Sequence, residues 1–132
     1  MAVRHPRLMT YLLDTHTFIW LATRDRRLSR AVVDLTADPG NDICLSVISR
    51  WEIVLKQRRD PELLPEPFEA AFARSSFSPL DLGFDVPGHL AKLPYHHNDP
   101  FDRLIVAHAM SSGRRLVSRD GNIQKYDVPI FW

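Results

Sequence analysis

Five carboxylate side chains of this sequence stand where buried strands are predicted to end or where helices begin. Asp14 and Asp120 each follow a short apolar run. Asp102 lies three residues after Asp99 in the first turn of a predicted helix, so these two acids share one helix face. Glu52 lies in a helix that follows a third apolar run. The carboxyl ends of parallel strands lie at one edge of a sheet, where acids placed in this way can meet.

Carboxylates gathered in one crevice repel one another unless a cation neutralises them. The histidines of the chain show no spacing typical of a metal site, and oxygen ligands without His or Cys suit Mg²⁺ or Mn²⁺ rather than zinc. The pattern therefore predicts a divalent metal site.

Each acid taken alone also has a structural explanation. Asp99 is a favourable helix N-cap, and Asp102 in the first turn could answer that cap or complement the helix dipole. Glu52 has a lysine four residues later, a spacing usual in solvated ion pairs. Asp120 precedes a glycine and could mark the tip of a hairpin. Asp14 is the least easily explained in this way, although it could cap the helix that follows.

The elements that must position these acids alternate between apolar runs and helical patterns. The predicted strands are 11–13, 43–45, 78–82, 115–118 and 130–132. The predicted helices are 15–22, 29–38, one starting at 46, 68–74, 88–93 and 99–112. This alternation indicates an α/β fold, a single α/β/α domain with a mainly parallel sheet of four to five strands flanked by helices.

The clearest element is the helix that contains Asp102. Asp99 suits the N-cap, Pro100 the first helical position and Gly113 the stop. Residues 104–110 are mostly apolar on every side of this helix, which predicts burial against the sheet. A carboxylate at the mouth of such a buried stripe needs a partner, because an isolated buried charge is unfavourable.

The helix that starts at 46 carries Glu52. Its apolar spacing predicts one buried face, bordered by Glu52 and made of Val47, Ile48, Trp51 and Leu55. Trp51, like Phe101 and Trp20, is expected in the core or at a subunit contact rather than as a base-stacking platform.

Length and composition bound the class of protein. With 132 residues, 45% hydrophobic and 25% charged, the chain is expected to form one domain over 9–132 after a loose, basic lead-in at 1–8. The apolar runs fall far short of the roughly 20 residues that a membrane helix needs. A lone cysteine, Cys44, and no apolar signal segment predict a cytoplasmic protein. If the five acids bind metal, the remaining surface is basic and suits a polyanion.

Four segments, taken together in order and spacing, resemble those of a known family. They are Leu12-Leu13-Asp14-Thr15-His16, Ser49-Arg50-Trp51-Glu52-Ile53, His97-Asn98-Asp99-Pro100-Phe101-Asp102-Arg103-Leu104 and Leu116-Val117-Ser118-Arg119-Asp120. From residue 9 onwards the chain resembles the PIN-domain nucleases, and among them the VapC-type toxins of bacterial toxin-antitoxin pairs. It departs from that pattern at Asn98, where the subgroup commonly has Arg, and at Ser118, where Thr is more frequent.

The resemblance implies a role for each acid. Asp14, Glu52, Asp102 and Asp120 take the acidic catalytic and metal-binding positions of the family, and Asp99 takes a further acidic position of the subgroup. Two hydroxyl groups could support these acids by hydrogen bonds, those of Thr15 and Ser118.

The resemblance further implies an endoribonuclease that uses Mg²⁺ or Mn²⁺ to activate a water molecule for attack on an RNA phosphodiester. It also implies a cognate antitoxin that occupies the groove near the acids, and a homodimer that assembles with it. Phe18 and Trp20 are candidates for exposed contacts with the antitoxin. Two alternatives stay open: a phosphatase of the haloacid dehalogenase kind, which expects a second Asp where this chain has His16, and a non-catalytic RNA- or protein-binding module.

Overall fold

The centre of the protein is a five-stranded parallel sheet with the strand order β3-β2-β1-β4-β5. The computed structural model describes residues 9–132, so the predicted lead-in at 1–8 lies outside the described residues. The strands are β1 (Met9–Leu13), β2 (Asn41–Ser46), β3 (Ser78–Leu80), β4 (Arg115–Val117) and β5 (Ile130–Phe131). The predicted α/β fold is confirmed.

Six α-helices connect and cover these strands. They are α1 (Thr15–Thr23), α2 (Arg30–Ala37), α3 (Val47–Arg59), α4 (Phe68–Arg74), α5 (Val86–Lys92) and α6 (Pro100–Ser112). The helix predicted at 88–93 begins earlier, at Val86, and the sequence did not predict the 3₁₀ turn Ile123–Lys125. Asp120 does not lie at a hairpin tip, because the strands on either side of it, β4 and β5, are parallel.

Helices lie on both faces of the sheet because successive residues of β1 point in opposite directions. Leu13 packs in a core cluster with Phe18 of α1, whereas Leu12 packs in a second cluster with Ile105 of α6. Phe18 is 2% exposed, so the expectation that it is available to an antitoxin is wrong, while Trp20 is half-buried. The phenylalanine instead fills the core between α1 and the sheet.

The buried face of α3 differs from the predicted one. Trp51 and Leu55 are 52% and 57% exposed, whereas Glu52 and Ile53 are almost completely buried. Ile48 joins one core cluster and Ile53 the other, so α3 passes the end of the sheet with Glu52 between its two apolar anchors. The correction matters for function, because it moves Glu52 from the border of the helix face to its centre.

The boundaries of α6 agree with the sequence. The Asp99 Oδ1 atom accepts the backbone N–H groups of Phe101 and Asp102, at 2.8 and 3.4 Å. Gly113 ends the helix with φ 65°, in the left-handed region where glycine has no steric penalty. Within residues 9–132, every helix is too short or too polar to cross a bilayer.

Candidate active site

The predicted acids gather at the carboxyl edge of β1 and β4. These neighbouring strands flank the point where the strand order reverses, the usual ligand position in such sheets. Asp14 directly follows β1, and its backbone N–H donates to the Val117 carbonyl at the end of β4. Asp102 enters from the first turn of α6 and Glu52 from α3. The charges of Glu52 and Asp14 both raise the pKa of Asp102, so these carboxylates share one electrostatic environment.

Asp14 is held rigidly as the N-cap of α1. Its side chain is buried, and its Oδ1 atom accepts the Thr17 backbone N–H at 2.8 Å and the Thr17 hydroxyl at 2.5 Å. Burial raises the pKa of Asp14, while hydrogen bonds from Ser118 and Thr17 act in the opposite direction. The cap therefore explains the position of Asp14 but does not compensate the burial of its charge.

Glu52 is the most deeply buried of these acids, at 1% exposure. Its Oε2 atom accepts a hydrogen bond from Lys56 at 2.5 Å, so the ion pair expected from the sequence exists, with its glutamate end buried and its lysine side chain 45% exposed. Burial alone would lower the pKa of Lys56, but Glu52, Asp99 and Asp102 together raise it, so the ammonium keeps its charge. The Glu52 Oε1 atom is buried and has no hydrogen-bond partner among residues 9–132.

Asp102 is a buried carboxyl group that resists ionisation. Burial and the neighbouring Asp99 charge raise its pKa to about 7, with His97 acting in the opposite direction. Asp99 itself uses Oδ1 for the N-cap of α6, and its charge still acts on Asp102. The cap and ligand explanations of Asp99 are thus compatible.

Asp120 is stabilised as an anion. Burial would raise its pKa, but a hydrogen bond from His97 and the backbone N–H groups of Ile123 and Asn122 lower it. Its Oδ1 atom accepts both backbone groups, at 3.1 and 2.8 Å. The 3₁₀ turn that the sequence did not predict supplies these donors, because its first residue is Ile123.

His97 is the site residue that the sequence did not predict. Its Nε2 atom lies 3.1 Å from Oδ2 of Asp102 and 3.1 Å from Oδ2 of Asp120. The Nδ1 atom accepts the Asp99 backbone N–H, so the neutral ring carries its proton on Nε2 and donates toward both carboxylates. Ligand atoms of His97, Asp102 and Asp120 lie within 4.8 Å of one another. In the sequence, His97 is distinguished only by its position two residues before Asp99, the N-cap of α6. Rules for the spacing of metal ligands do not detect a histidine in that position.

The two supporting hydroxyl residues occupy different places. Ser118 is fully buried, lowers the pKa of Asp14 and accepts the Asp120 backbone N–H at 3.1 Å, so it contacts two acids. The Thr15 hydroxyl instead lies 2.9 Å from the Ser49 hydroxyl and ties α1 to α3. The threonine whose hydroxyl donates to Asp14 is Thr17, two residues after Thr15.

The donor set fits a hard divalent cation. A buried carboxylate oxygen without a partner, on Glu52, and burial that opposes ionisation of Asp14 and Asp102 are both relieved by a nearby positive charge. Carboxylate oxygen ligands suit Mg²⁺ or Mn²⁺. Asp102 and Asp120, together with His97, form the group whose ligand atoms lie close enough to share one ion, and the charges of Asp14, Glu52 and Asp99 act on Asp102.

A cleft of about 360 Å³ opens beside these acids. It is lined by Asp14, His16, Trp20, Arg27, Arg119 and Asp120. The cleft therefore has an acidic end at the strand edge and an aromatic and basic end contributed by α1 and the loops after α1 and β4.

The sequence pattern that defines the PIN domain matches residues 11–129. The chain belongs to the PIN domain family. The match includes all five candidate acids, and the family assignment favours a nuclease over a phosphatase.

Known relatives of this PIN-domain chain match it over most of its length. Ribonuclease VapC22 of Mycobacterium tuberculosis is 26% identical over 125 residues, which cover 92% of this chain and 95% of that protein. The DNA-bound VapBC structure from Salmonella typhimurium superposes with a TM-score of 0.71 at 18% identity, covering 94% of this chain and 98% of that one. A toxin-antitoxin complex from Klebsiella pneumoniae gives a TM-score of 0.64 at 18% identity, covering 92% and 96%.

Proposed function

We propose that this PIN-domain protein is a Mg²⁺- or Mn²⁺-dependent endoribonuclease and the toxin of a type II toxin-antitoxin pair, acting in the cytoplasm. The observation that carries the proposal is the convergence of buried, mutually repelling carboxylates on the strand edge, with the unpartnered Oε1 of Glu52 among them. Similarity to a VapC ribonuclease supports RNA as the substrate.

The residues of the chain divide the work of holding a cation and a phosphodiester. Asp14, Glu52, Asp102 and Asp120 would hold the ion, and when bound it would supply the charge that makes a water molecule acidic and stabilises the transition state of in-line phosphoryl transfer. His97 would hold the Asp102 and Asp120 carboxylates close together, because its Nε2 atom lies 3.1 Å from an oxygen of each. The reaction needs no covalent enzyme intermediate, and the expected products end in a 5′-phosphate and a 3′-hydroxyl.

Lys56 orients one ligand and limits the charge of the site. Its ammonium group fixes Oε2 of Glu52 and leaves Oε1 available to a cation. Because Lys56 also interacts with the charges of Asp99 and Asp102, it partly compensates the acids before any ion is bound.

An antitoxin and a second copy of this chain are the proposed partners. Solved relatives include a toxin-antitoxin complex, and α3 of this chain exposes an apolar surface that a protein partner could cover. The side chains of Trp51, Val54 and Leu55 are 52%, 43% and 57% exposed and lie on one side of α3. Groups of exposed apolar residues of this kind mark protein interfaces.

The decisive experiment is cleavage of a mixed pool of structured cellular RNA by the purified protein with Mg²⁺, with Mn²⁺ and with chelator. Asp14→Asn is the test variant, because asparagine also caps a helix and keeps an acceptor for Thr17. We expect metal-dependent fragments with 5′-phosphate ends that disappear in this variant.

The matched control is Asp127→Asn, which changes the same chemical group at an exposed position away from the strand edge. It should cleave as well as the unaltered protein. Full activity of Asp14→Asn, or cleavage that persists in chelator, would refute the metal-dependent assignment. Metal binding with no RNA cleavage would favour the non-catalytic binding module.

A further inference from the structure

We propose that Trp20 and Arg27 form a stacking platform for one base of single-stranded RNA, and that Arg119 binds an adjacent phosphate. This inference rests on the proposed nuclease function and names how its substrate lies beside the acids. All three residues line the cleft that also contains Asp14 and Asp120.

The platform is already assembled in the protein. The Arg27 guanidinium carbon lies 4.6 Å from the centroid of the Trp20 ring, over its face. The ring of Trp132 meets Trp20 edge-on, with centroids 5.9 Å apart, and supports it from another side. A planar group held against an indole in this way offers a second flat surface to a base without further ordering.

Asp25 determines what Arg27 can do. It accepts two hydrogen bonds from the Arg27 side chain, from Nε at 2.9 Å and from the terminal nitrogen at 2.8 Å. The positive charge of Arg27 is therefore locally compensated and the plane of its guanidinium is fixed. The Arg27 side chain nevertheless remains 57% exposed, so a flat face rather than a phosphate clamp is what it presents. Bases of single-stranded RNA stack on aromatic rings and on arginine planes of this kind.

Arg119 complements this platform electrostatically. It is exposed, and among residues 9–132 no carboxylate lies within ion-pair distance of its guanidinium. It follows Ser118 at the end of β4 and lies between the buried strand and Asp120 in the sequence. RNA phosphates approaching Asp14 and Asp120 would be repelled, so an exposed cation that forms no direct ion pair, although its charge reaches Asp25, favours binding of a phosphate at this point.

The test is RNA affinity measured apart from cleavage. The probe is a short fluorescein-labelled single-stranded RNA in Ca²⁺, with its integrity verified on a gel, and affinity is read by fluorescence anisotropy. Arg27→Lys keeps the charge and removes the plane, so it should weaken binding about tenfold, as expected for the loss of one stacked base. Arg119→Lys should bind nearly as well as the unaltered protein, whereas Arg119→Ala should lower the salt dependence of binding by about one phosphate contact.

A cycle with abasic RNA identifies the base. Each nucleotide of the probe is replaced in turn by an abasic one, and binding is compared between the unaltered protein and Arg27→Lys. At one position, the abasic replacement should weaken binding to the unaltered protein but should not further weaken binding to Arg27→Lys. Arg30→Lys is the matched control, because Arg30 also pairs with an aspartate and is highly exposed, on α2.

The outcomes separate this inference from the proposed function. If the unaltered protein cleaves RNA but Arg27→Lys keeps full affinity, or if no abasic position couples to it, the stacking platform is refuted and the nuclease assignment stands. If the unaltered protein neither binds nor cleaves RNA, the proposed function fails first. If Arg27→Lys binds RNA as tightly as the unaltered protein but binds the antitoxin more weakly, the surface formed by Trp20 and Arg27 belongs to the protein interface instead.

Discussion

Replacing Asp102 by Asn should stabilise the metal-free protein while abolishing cleavage. In the folded protein the pKa of Asp102 lies at about 7, against an ordinary value of 3.8, because of burial and the nearby Asp99 charge. The folded state thus binds this proton more tightly than the unfolded state. The contribution of Asp102 to stability is complete below about pH 4 and is lost as the pH rises through about 7.

The size of the effect follows from this difference. About three pKa units at about 1.4 kcal/mol each give an upper bound of about 4 kcal/mol at pH 8. Asparagine does not ionise and keeps an oxygen acceptor for the His97 Nε2–H group, so it should recover much of this free energy. For a chain of 132 residues this corresponds to a rise in Tm on the order of 10 °C.

The assay is thermal unfolding in chelator at pH 8 and at pH 5, followed by circular dichroism. The advantage of Asp102→Asn should be largest at pH 8 and clearly smaller at pH 5, because at pH 5 the folded protein keeps the Asp102 proton and only the unfolded state has begun to lose it. Adding Mn²⁺ at 100 times its Kd should stabilise the unaltered protein by about 2.7 kcal/mol and reduce the difference in stability between it and Asp102→Asn. Asp127→Asn, at an exposed position, should leave the Tm unchanged at both pH 8 and pH 5. Equal stability of Asp102→Asn and the unaltered protein at pH 8, or an advantage independent of pH, would refute the reasoning.

Three further predictions test other parts of the molecule. His97→Leu should weaken Mn²⁺ binding by about 10- to 100-fold in calorimetry without RNA, whereas His97→Gln, which keeps a donor, should largely restore it; unchanged affinity of the leucine variant would exclude a positioning role. Burial lowers the pKa of His108, so folding stability should fall as the pH drops below about 6.5, by at most about 1.4 kcal/mol per pH unit. Denaturant unfolding should show a flatter pH dependence in His108→Gln, and an unchanged slope would contradict this. Trp51→Glu should shift the protein to smaller assemblies in sedimentation at unchanged Tm, because its side chain is 52% exposed; an unaltered sedimentation profile would count against α3 as an interface.

Local rules predicted the elements whose signals lie within a few residues. The start of α6 was predictable because a cap, a proline and a glycine each act on the adjacent backbone, and the structure places Asp99, Pro100 and Gly113 in those roles. The order of strands and helices was likewise predictable, since an apolar run bounded by turn residues differs in period from a helix. These signals also located the strand edge where the acids gather.

The face of α3 could not be predicted in the same way. Large apolar residues are usually inside, and that rule favoured Trp51 and Leu55 over a glutamate. The rule fails here because α3 packs through Ile48 and Ile53, which brings Glu52 inward between them. The contacts of His97 were hidden for a different reason: one of its carboxylate partners, Asp120, is 23 residues away in the sequence.

The places where sequence rules fail coincide with the site itself. A helix that buries Glu52 and exposes Trp51 loses stability twice, through desolvation of a carboxylate and through an unburied indole. Under the proposed function, another molecule would offset each of these losses: a cation at the unpartnered Oε1 atom of Glu52 and a protein at the exposed face of the same helix. Residues that contradict local preferences are expected at functional positions, where stability is exchanged for binding. On this argument α3 links the two proposed interactions, because the rotation that buries Glu52 is the same rotation that exposes Trp51.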